Sequence, residues 1–518
     1  MTLHLRNARI WTGDRDRPWA SSLTIRRGRI ASLDGDPEGG PDGDPNDDQV
    51  RVIDAQGRTA APGLVDAHVH LLLGGEALGG LDLSEVKSRR EFEAAIARRH
   101  EELPPGQWLI AGGWSQENWP GGQLPDRSWL VAAAGRPVVC HRKDLHSVVV
   151  NEPVLALFDT TTDPPAGRIE REPESGEPTG LLVETAAWEL VNPLVPKPDT
   201  AARRQALLAA QRHLHGVGVT AVGTMEYERS VREVYQPLRE QLSLRCRVIL
   251  LDRGWPMDFE FGRGFPGDDH LAVIGYKTFV DGTLGSRSAR MLADYAGDPG
   301  HRGEFLELAA AGHLHDWARA VSAAGFAPVM HAIGDEAARA VLDVIEDLGN
   351  APPRPRIEHA QQIDEADFPR FRGVVTSMQP LHKADDCRYV QRRLGPDRLV
   401  GTFAFRRLRD SGAVLAFGSD WPVVSCDPIL GMRAAITGLT LDGEVFAADQ
   451  TLTVAETLEA YTANAAAAVG LAGGGVLRPG GFGDVVLFDR DPFESNWVDL
   501  PPKVMTTIVG GEVAYDSM

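Results

Sequence analysis

Three pairs of histidines have the spacing His-x-His, namely His68/His70, His213/His215 and His313/His315. On a strand, residues i and i+2 point to the same face, so two imidazoles at this spacing can bind one metal ion. On a helix, the same spacing places the side chains about 200° apart. His68 and His70 end an apolar, strand-like stretch at 62–70, whereas the other pairs lie in or beside helical patterns. We therefore expect a metal site at His68 and His70, and surface or capping roles for the other two pairs.

Further residues of the kind that bind metals lie in or at the ends of four later apolar stretches: Lys277, His331, His359 and Asp420. A single histidine in such a stretch is more often a structural residue of the core. A lysine is rarer there, because burying an ammonium group is costly unless the group is paired or modified. Four histidines, one lysine and one aspartate on five strand ends are hard to explain by packing. They indicate a metal centre.

The elements that must carry these residues are eight apolar segments of strand length, most of them separated by helical patterns such as 201–213 and 336–348. The segments are 64–69, 217–222, 247–251, 274–280, 328–330, 356–357, 374–377 and 414–417. Short buried strands alternating with helices are typical of a parallel (β/α)₈ or TIM barrel in the α/β class. Active sites of such barrels lie at the C-terminal ends of the strands, where the candidate ligands fall.

The two ends of the chain have a different pattern, of short strands and turns. These strands are predicted at 3–10, 22–25, 29–32, 50–54, 484–489, 504–509 and 513–515, and an acidic Gly/Pro/Asp stretch at 34–48 predicts a solvated loop. We expect residues 1–60 and 476–518 to form one small β-sandwich domain beside a barrel domain at 61–475. The gap between the first two barrel strands predicts a long insertion at about 71–216, covering the mouth of the pocket.

Composition excludes several classes of protein. The formal charge of −20 argues against nucleic-acid binding, which needs a basic surface. No apolar run reaches the roughly 18–20 residues that span a bilayer, and the N-terminus has no signal-peptide pattern. Four cysteines without a C-x-x-C pair are typical of reduced thiols. We expect a cytoplasmic enzyme with a small-molecule substrate and with neither nucleic-acid nor membrane partners.

The motifs, taken in order, resemble those of the amidohydrolase superfamily, and within it the branch of N-substituted formamide deformylase-like proteins. The resemblance covers nearly the whole chain and rests on segments 62–70, 112–122, 144–151, 277–287, 331–335, 357–361 and 418–422. One departure is Gly223-Thr224-Met225-Glu226, where relatives commonly carry His-Asp. This departure leaves the substrate preference open, but not the metal site.

The resemblance implies one or two divalent ions, with zinc favoured by the imidazole and carboxylate donors, although manganese and iron also fit. His68 and His70 would bind one ion, and His331 and His359 the same ion or a second. Lys277 would be carboxylated by CO₂ and bridge two ions. Asp420 would bind metal, accept a proton from the attacking water and pass it to the leaving nitrogen.

The resemblance also points to residues around the ligands. His146, in the insertion, would polarise the substrate carbonyl. Asp281 and Asp335 either orient ligands or cap loops. Three tryptophans either line an apolar pocket or pack the insertion on the barrel: Trp114, Trp119 and Trp421. Glu184 matches a recurrent position without a physical role, and a homodimer is implied.

Together these features predict a metal-dependent hydrolase that cleaves a non-peptide C–N bond in an amide, a formamide or a cyclic amide. A second reaction on the same scaffold, such as ester hydrolysis, deamination or decarboxylation, stays open because a fold does not dictate a reaction. A non-catalytic binding protein would be expected to have lost metal ligands, and all six candidates are present.

Overall fold

A computed structural model describes residues 2–35, 50–349 and 352–518. Most of the predicted acidic loop at 34–48 therefore lies outside the described residues. Strands β1 to β12 are Thr2–Arg6, Arg9–Trp11, Trp19–Ala20, Leu23–Arg26, Arg29–Leu33, Val50–Asp54, Thr59–Pro62, Leu64–Val69, Leu81–Asp82, Leu109–Trp114, Val138–Arg142 and Ser147–Val150. Strands β13 to β24 are Gly167–Arg171, Pro178–Glu184, Val219–Glu226, Arg245–Leu250, Leu271–Phe279, Ala327–Ala332, Arg356–His359, Val375–Met378, Val414–Phe417, Val485–Phe488, Val504–Val509 and Glu512–Asp516.

Helices α1 to α8 are Leu71–Ala77, Arg89–Glu102, Glu152–Leu155, Thr200–Gly216, Glu228–Ser230, Glu260–Gly264, Glu307–Ala310 and Leu314–Ala323. Helices α9 to α15 are Asp335–Leu348, Pro380–Asp386, Val390–Leu394, Phe405–Asp410, Pro428–Thr437, Val454–Tyr461 and Ala463–Ala468. Short 3₁₀ or π-helical turns lie at Gln116–Asn118, Arg127–Ala133, Ala186–Val191, Val231–Tyr235, Gln236–Gln241, Glu365–Phe371, Pro396–Arg398 and Ala448–Gln450.

Eight parallel strands form the barrel, in the order β8-β15-β16-β17-β18-β19-β20-β21. The two end strands meet just beyond their last residues. There the N–H of Asp420 donates to the carbonyl of His68 over 2.7 Å, and the N–H of His70 donates to the carbonyl of Trp421 over 2.9 Å. All residues of β8, β15, β18, β19 and β20 are buried, as expected for strands covered on both faces. The predicted TIM barrel is confirmed.

Each predicted barrel segment overlaps an observed strand, and the first and last have the predicted bounds. The second strand was predicted to end at Val222 but continues to Glu226. Its polar residues stay in the strand because they have buried partners: the hydroxyl of Thr224 bonds the carboxylate of Glu226.

The insertion after β8 forms a sheet of its own, with the strand order β13-β14-β12-β11-β10-β9. One face of this sheet packs against α2. The apolar cluster between them includes Phe92 of α2, Trp114 and Trp129. The predicted range of about 71–216 also contains α1 and α4, which pack together beside the barrel. Helix α4 connects this sheet to the second barrel strand.

The two ends of the chain contribute to two further sheets, with the strand orders β5-β4-β1-β6 and β24-β23-β22-β7-β2-β3. Both sheets supply side chains to one apolar cluster, which includes Leu5, Ile25, Val485 and Ile508. The single strand predicted at 3–10 was wrong. It is two strands on different sheets, because Asn7 between them adopts a left-handed conformation with φ of 51°.

Two further predictions concern disulfides and membrane-spanning helices. Cys140, Cys246, Cys387 and Cys426 are buried free thiols, so no disulfide occurs among them. Within 2–35, 50–349 and 352–518, no helix is both long and apolar enough to cross a membrane.

Candidate metal centre

Three predicted ligands meet at the C-terminal end of the barrel. One ligand atom each from His68, His359 and Asp420 lie within 4.8 Å of one another, and all three residues are buried. His68 and His359 are at the ends of β8 and β19, and Asp420 follows β21. His359 and Asp420 have φ values of 72° and 61°, a left-handed conformation that is unusual for side chains other than glycine. Such strain is common where a backbone must aim a functional group.

The two ring nitrogens of His68 have different partners. Nδ1 lies 2.5 Å from Oε2 of Glu358, a residue on β19 to which no role was assigned from the sequence. Burial by itself raises the pKa of Glu358, but Arg356 and His68 lower it more, so the carboxylate stays charged. The Glu358 carboxylate therefore accepts a hydrogen bond from Nδ1–H of His68. This leaves the lone pair of Nε2 directed at the centre.

Lys277 reaches the same point from β17. Its Nζ lies 3.0 Å from Nε2 of His68, and its side chain is 1% exposed. Burial lowers the pKa of Lys277 to about 8. A neutral amine is therefore accessible near neutral pH, as reaction with CO₂ requires.

Asp420 connects the two histidines of the His-x-His motif. Its Oδ1 lies 3.3 Å from Nε2 of His68 and 3.2 Å from Nε2 of His70. Burial raises the pKa of Asp420, but His68, His70 and His359 lower it far more, so the carboxylate is ionised. Burial lowers the pKa values of His68 and His359, so both imidazoles give up a proton readily, as metal binding requires.

His359 is oriented in the same way as His68, by a hydrogen bond of 2.8 Å between Nδ1 and Oε1 of Gln379. His331, on β18, lies beside it with ring centroids 4.5 Å apart. Nε2 of His331 is 3.1 Å from the carbonyl oxygen of Gly282, and its buried Nδ1 has no hydrogen-bond partner among the described residues. His331 is thus at the edge of the group rather than one of its three closest members.

These residues fit a divalent metal ion. They provide neutral imidazoles, an ionised carboxylate and a buried nitrogen on His331 without a protein partner, which are the donors that zinc and similar ions use. The structure brings all six predicted ligands together at this end of the barrel, with His331 beside His359 at the edge of the group.

His146 approaches from the insertion. Its ring centroid is 5.8 Å from that of His331, and its Nδ1 is 2.7 Å from Oε2 of Glu184. Burial alone would lower the pKa of His146, but the Glu184 carboxylate raises it, so the pKa lies above the ordinary value of a histidine. The hydroxyl of Ser288 donates to the other oxygen of Glu184. Glu184 thus has a physical role: it orients His146 and raises its pKa.

His382 was missed from the sequence. It lies on α10, shortly after β20, and its Nε2 is 4.0 Å from Oδ2 of Asp420. Burial lowers the pKa of His382 to about 4, so the imidazole is neutral at pH 7. The available signal was its place just beyond the predicted strand 374–377, at the same barrel end as the other ligands.

Asp281 and Asp335 stabilise the loops that carry the ligands. The carboxylate of Asp281 accepts the backbone N–H groups of Ile333, Gly334 and Arg290, and its Oδ1 is 3.7 Å from Nε2 of His331. Burial raises the pKa of Asp281 to about 7. Asp335 accepts the N–H of Leu292 and belongs to a loop cap, not to the ligand group.

Each of the three tryptophans has a packing contact of its own. Trp114 is buried in the insertion and donates to the carbonyl of Cys140, and Trp119 packs on Trp129. Trp421 stacks on His213, with ring centroids 5.5 Å apart.

The other two His-x-His pairs are structural. His213 and His215 lie on α4, and His313 precedes α8 and stacks on Trp255. A surface role was wrong for His215. It is buried, and its ring bonds the carbonyl of Val219 and the hydroxyl of Ser243, because α4 packs on the barrel at this point.

Glu226 stands at the position where the sequence departs from the pattern of its relatives. It is buried and accepts hydrogen bonds from the N–H of Leu72 and the hydroxyls of Thr224 and Tyr235. Burial raises the pKa of Glu226 to about 7. The residue connects α1 to β15 and is not a member of the ligand group.

Comparisons with known proteins agree with this geometry. The model of the amidohydrolase family matches residues 51–515. The chain is 32% identical to Protein LONG AFTER FAR-RED 3 of Arabidopsis thaliana, over 98% of this chain and 91% of that protein. It is 26% identical to N-substituted formamide deformylase of Arthrobacter pascens, over 98% and 97% of the two chains, which confirms the resemblance noted from the motifs.

Among solved structures, an uncharacterized metal-dependent hydrolase from Pyrococcus horikoshii OT3 superposes with a TM-score of 0.77. The two chains are 27% identical, and the match covers 96% of this chain and 100% of the other. The chain therefore belongs to the amidohydrolase family and is a metal-dependent hydrolase that acts on a small molecule.

Proposed function

We propose that this protein hydrolyses a non-peptide C–N bond in an amide or a formamide by means of a metal-activated water. The observation that carries the proposal is the buried group of His68, His359 and Asp420, with Nζ of Lys277 3.0 Å from His68. The name of the Arthrobacter relative, N-substituted formamide deformylase, supports this type of bond.

The proposed ligands are His68, His70, Lys277, His331, His359 and Asp420, holding one or two zinc ions with Lys277 N-carboxylated. Carboxylation fits the position of Lys277, because it converts a buried cation into an anionic oxygen ligand. A bound ion would lower the pKa of water from 15.7 to about 7 and polarise the scissile carbonyl.

The protein side chains supply proton transfer and orientation. Asp420 is ionised and lies against the ligand histidines, so it can accept a proton from the attacking water and deliver it to the leaving nitrogen. His146 carries a raised pKa and can donate a hydrogen bond to the substrate carbonyl oxygen. Glu358 and Gln379 keep the imidazoles of His68 and His359 in the tautomer that binds metal.

The first experiment is elemental analysis of wild-type protein and Lys277→Ala in parallel. About two equivalents of metal in wild type, falling to one or fewer in the variant, are expected for two ions bridged by carboxylated Lys277. Lys383→Ala is the matched control, since Lys383 is also buried but lies outside the ligand group. One equivalent that survives in Lys277→Ala would instead indicate a single ion, with Lys277 binding substrate or serving the fold.

Product analysis tests the bond. Release of aniline and formate from formanilide supports the proposal, whereas turnover of phenyl formate alone indicates ester hydrolysis. Deamination or decarboxylation would be recognised by release of ammonia or CO₂ from other substrates. Such results would replace the C–N assignment on the same metal scaffold.

We also propose the larger organisation. Residues 1–60 and 476–518 form one β-sandwich domain, supported by the apolar cluster that their sheets share. Residues 61–475 form the barrel domain, with the insertion at about 71–216. A cytoplasmic location is supported by four buried thiols that form no disulfide with one another. A homodimer is supported by the family resemblance and is tested by light scattering.

A further inference from the structure

The insertion has apolar cores of its own. One apolar cluster surrounds Phe92 and Trp129, and a second surrounds Val148 and Leu182. Every member of both clusters lies within residues 81–195, which we call the insertion module. Among the residues that the structure describes, the main apolar cluster of the barrel includes none from this range. Hydrophobic burial therefore stabilises the module and the barrel largely as separate units.

Charged side chains join the module to helices α10 and α11 of the barrel. The carboxylate of Glu117 accepts hydrogen bonds from Arg392 and Arg393, each over 2.7 Å. Lys143 of the module pairs with Asp385 of α10. The side chain of Glu117 is only 7% exposed, so its ion pairs are shielded from water and are stronger than pairs on an open surface.

Two short connections link the module to the rest of the chain. The chain enters the module through Gly79-Gly80, just after α1, and leaves it through residues 192–199, which contain three prolines. Glycine gives the backbone wide rotational freedom, whereas a proline-rich segment is semi-rigid. A folded unit that is held in this way can turn as one body about its point of entry.

The metal centre lies beneath the module. His68 and Asp420 are only 0% and 7% exposed. His146 and Trp188 of the module contact Phe279 beside the centre, with ring centroids 6.1 and 5.8 Å from it. Access of a substrate to groups this deeply buried requires that the cover move.

We propose that the insertion module is a lid that swings as one rigid body over the metal centre, and that Glu117 is a positioning residue that holds the lid shut through Arg392 and Arg393. Closing brings His146 to the centre, and opening admits the substrate. The inference rests on the proposed function, because it takes the metal centre as the place where the substrate reacts. It adds the movement that controls entry.

The test measures distances between pairs of spin labels in the full-length protein by pulsed electron spin resonance. Labels on cysteines introduced at Val131 and Val400 connect the module to the barrel, and labels at Val131 and Leu157 lie within the module. All three positions are exposed, whereas the four native cysteines are buried. The first pair of labels therefore reports movement of the lid, and the second reports its integrity.

Wild type should give one dominant distance between the labels at Val131 and Val400. Glu117→Gln keeps the size of the side chain but removes its charge. A second distance should then appear, and the ratio of open to closed molecules should rise at least about tenfold, because two arginines lose their shielded partner. The distance between Val131 and Leu157 should stay the same.

Glu102→Gln is the matched control, because Glu102 pairs with Arg99 inside the module and should leave both distances unchanged. If Glu117→Gln does not fold, Arg393→Gln is measured instead, and the same second distance is expected.

Three results would overturn the inference. An unchanged distance between module and barrel in Glu117→Gln would show that these ion pairs do not hold a lid. An equal response in Glu102→Gln would show that the effect is not specific to Glu117. A comparable change within the module would indicate local unfolding instead of rigid-body movement. The distances do not depend on turnover. Failure of wild type to hydrolyse formanilide would therefore contradict the proposed bond, while a response of the labels to Glu117→Gln would still support the lid.

Discussion

At the scale of single residues, the centre is defined by how each imidazole is held. Glu358 and Gln379 bond Nδ1 of His68 and His359, whose ring centroids lie 5.0 Å apart. Arg356 in turn bonds Glu358 and the carbonyl of Ala67, so the orientation of His68 depends on a fully buried network. Such networks must be satisfied as a unit, because an unpaired charge inside them is costly.

The pair of His146 and Glu184 yields a residue-scale prediction. Glu184→Gln keeps a hydrogen-bond acceptor but removes the charge that raises the pKa of His146. The protonated form of His146 would then be lost at a lower pH, so the alkaline limb of the pH–rate profile should move to lower pH, with kcat on that limb reduced about tenfold for each pH unit of the shift. The measurement is the profile of kcat against pH for both proteins.

The control for this variant is Glu189→Gln, a nearby change outside the pair. An unchanged alkaline limb in Glu184→Gln would show that His146 does not act through its proton.

At the scale of elements, α14 shows how local signals and tertiary contacts combine. Thr453 and Glu456 form a capping box at its N-terminus, and Glu456 also pairs with Arg406 and Arg409 of the neighbouring α12. The hydrogen bond to Arg406 is the main cause that lowers the pKa of Glu456, to about 2. One carboxylate thus joins two helices of the barrel.

This lowered pKa predicts a pH-dependent stability. The contribution of Glu456 is fully present above its unfolded pKa of 4.5 and is lost as the pH falls through about 2. Glu456→Gln should reduce the free energy of unfolding by about 1–2 kcal/mol at pH 7, after allowance for solvent screening, and by less at pH 3. Urea unfolding at the two pH values measures both.

Glu459→Gln on the same helix is the control. Among the described residues Glu459 forms an ion pair only with the exposed Arg15, so its loss should cost about 0.5 kcal/mol or less. An equal loss at pH 7 and pH 3 in Glu456→Gln would contradict the ionic origin of the effect.

At the scale of the whole molecule, the metal centre is where both ends of the barrel sheet meet the insertion. His68 comes from the first barrel strand, Asp420 follows the last, and His146 comes from the insertion. A bound ion would therefore hold together segments that are far apart in the sequence, and it would stabilise the folded state by an amount that grows with the logarithm of its affinity.

Metal removal should therefore lower the melting temperature as well as abolish turnover. Treatment with a chelator is expected to lower Tm by several degrees, with recovery on addition of zinc, because an ion at about 100 times its Kd contributes about 2.7 kcal/mol. His68→Ala and Asp420→Ala should be folded and inactive, with melting temperatures that no longer respond to zinc. Near-normal activity in either variant would contradict the assignment of the centre.

Much of this arrangement could be predicted from the sequence, because its signals are local. A strand that ends in His-x-His directs two imidazoles to one face, and eight apolar segments alternating with helices determine a parallel barrel with its site at the strand ends. The predicted ligands His68, His70, Lys277, His359 and Asp420 accordingly meet in the folded chain.

Only the tertiary structure decided the partners of these residues. Glu358 bonds His68 across 290 residues of chain, whereas Glu184 bonds His146 and His382 faces Asp420, in each case across 38 residues. The same holds for His215, which packing against the barrel buries. Sequence spacing reports which face of an element a side chain occupies, but contacts between elements depend on how the barrel closes and where the insertion packs. The sequence by itself therefore determined the chemistry of the centre, and the fold decided its geometry.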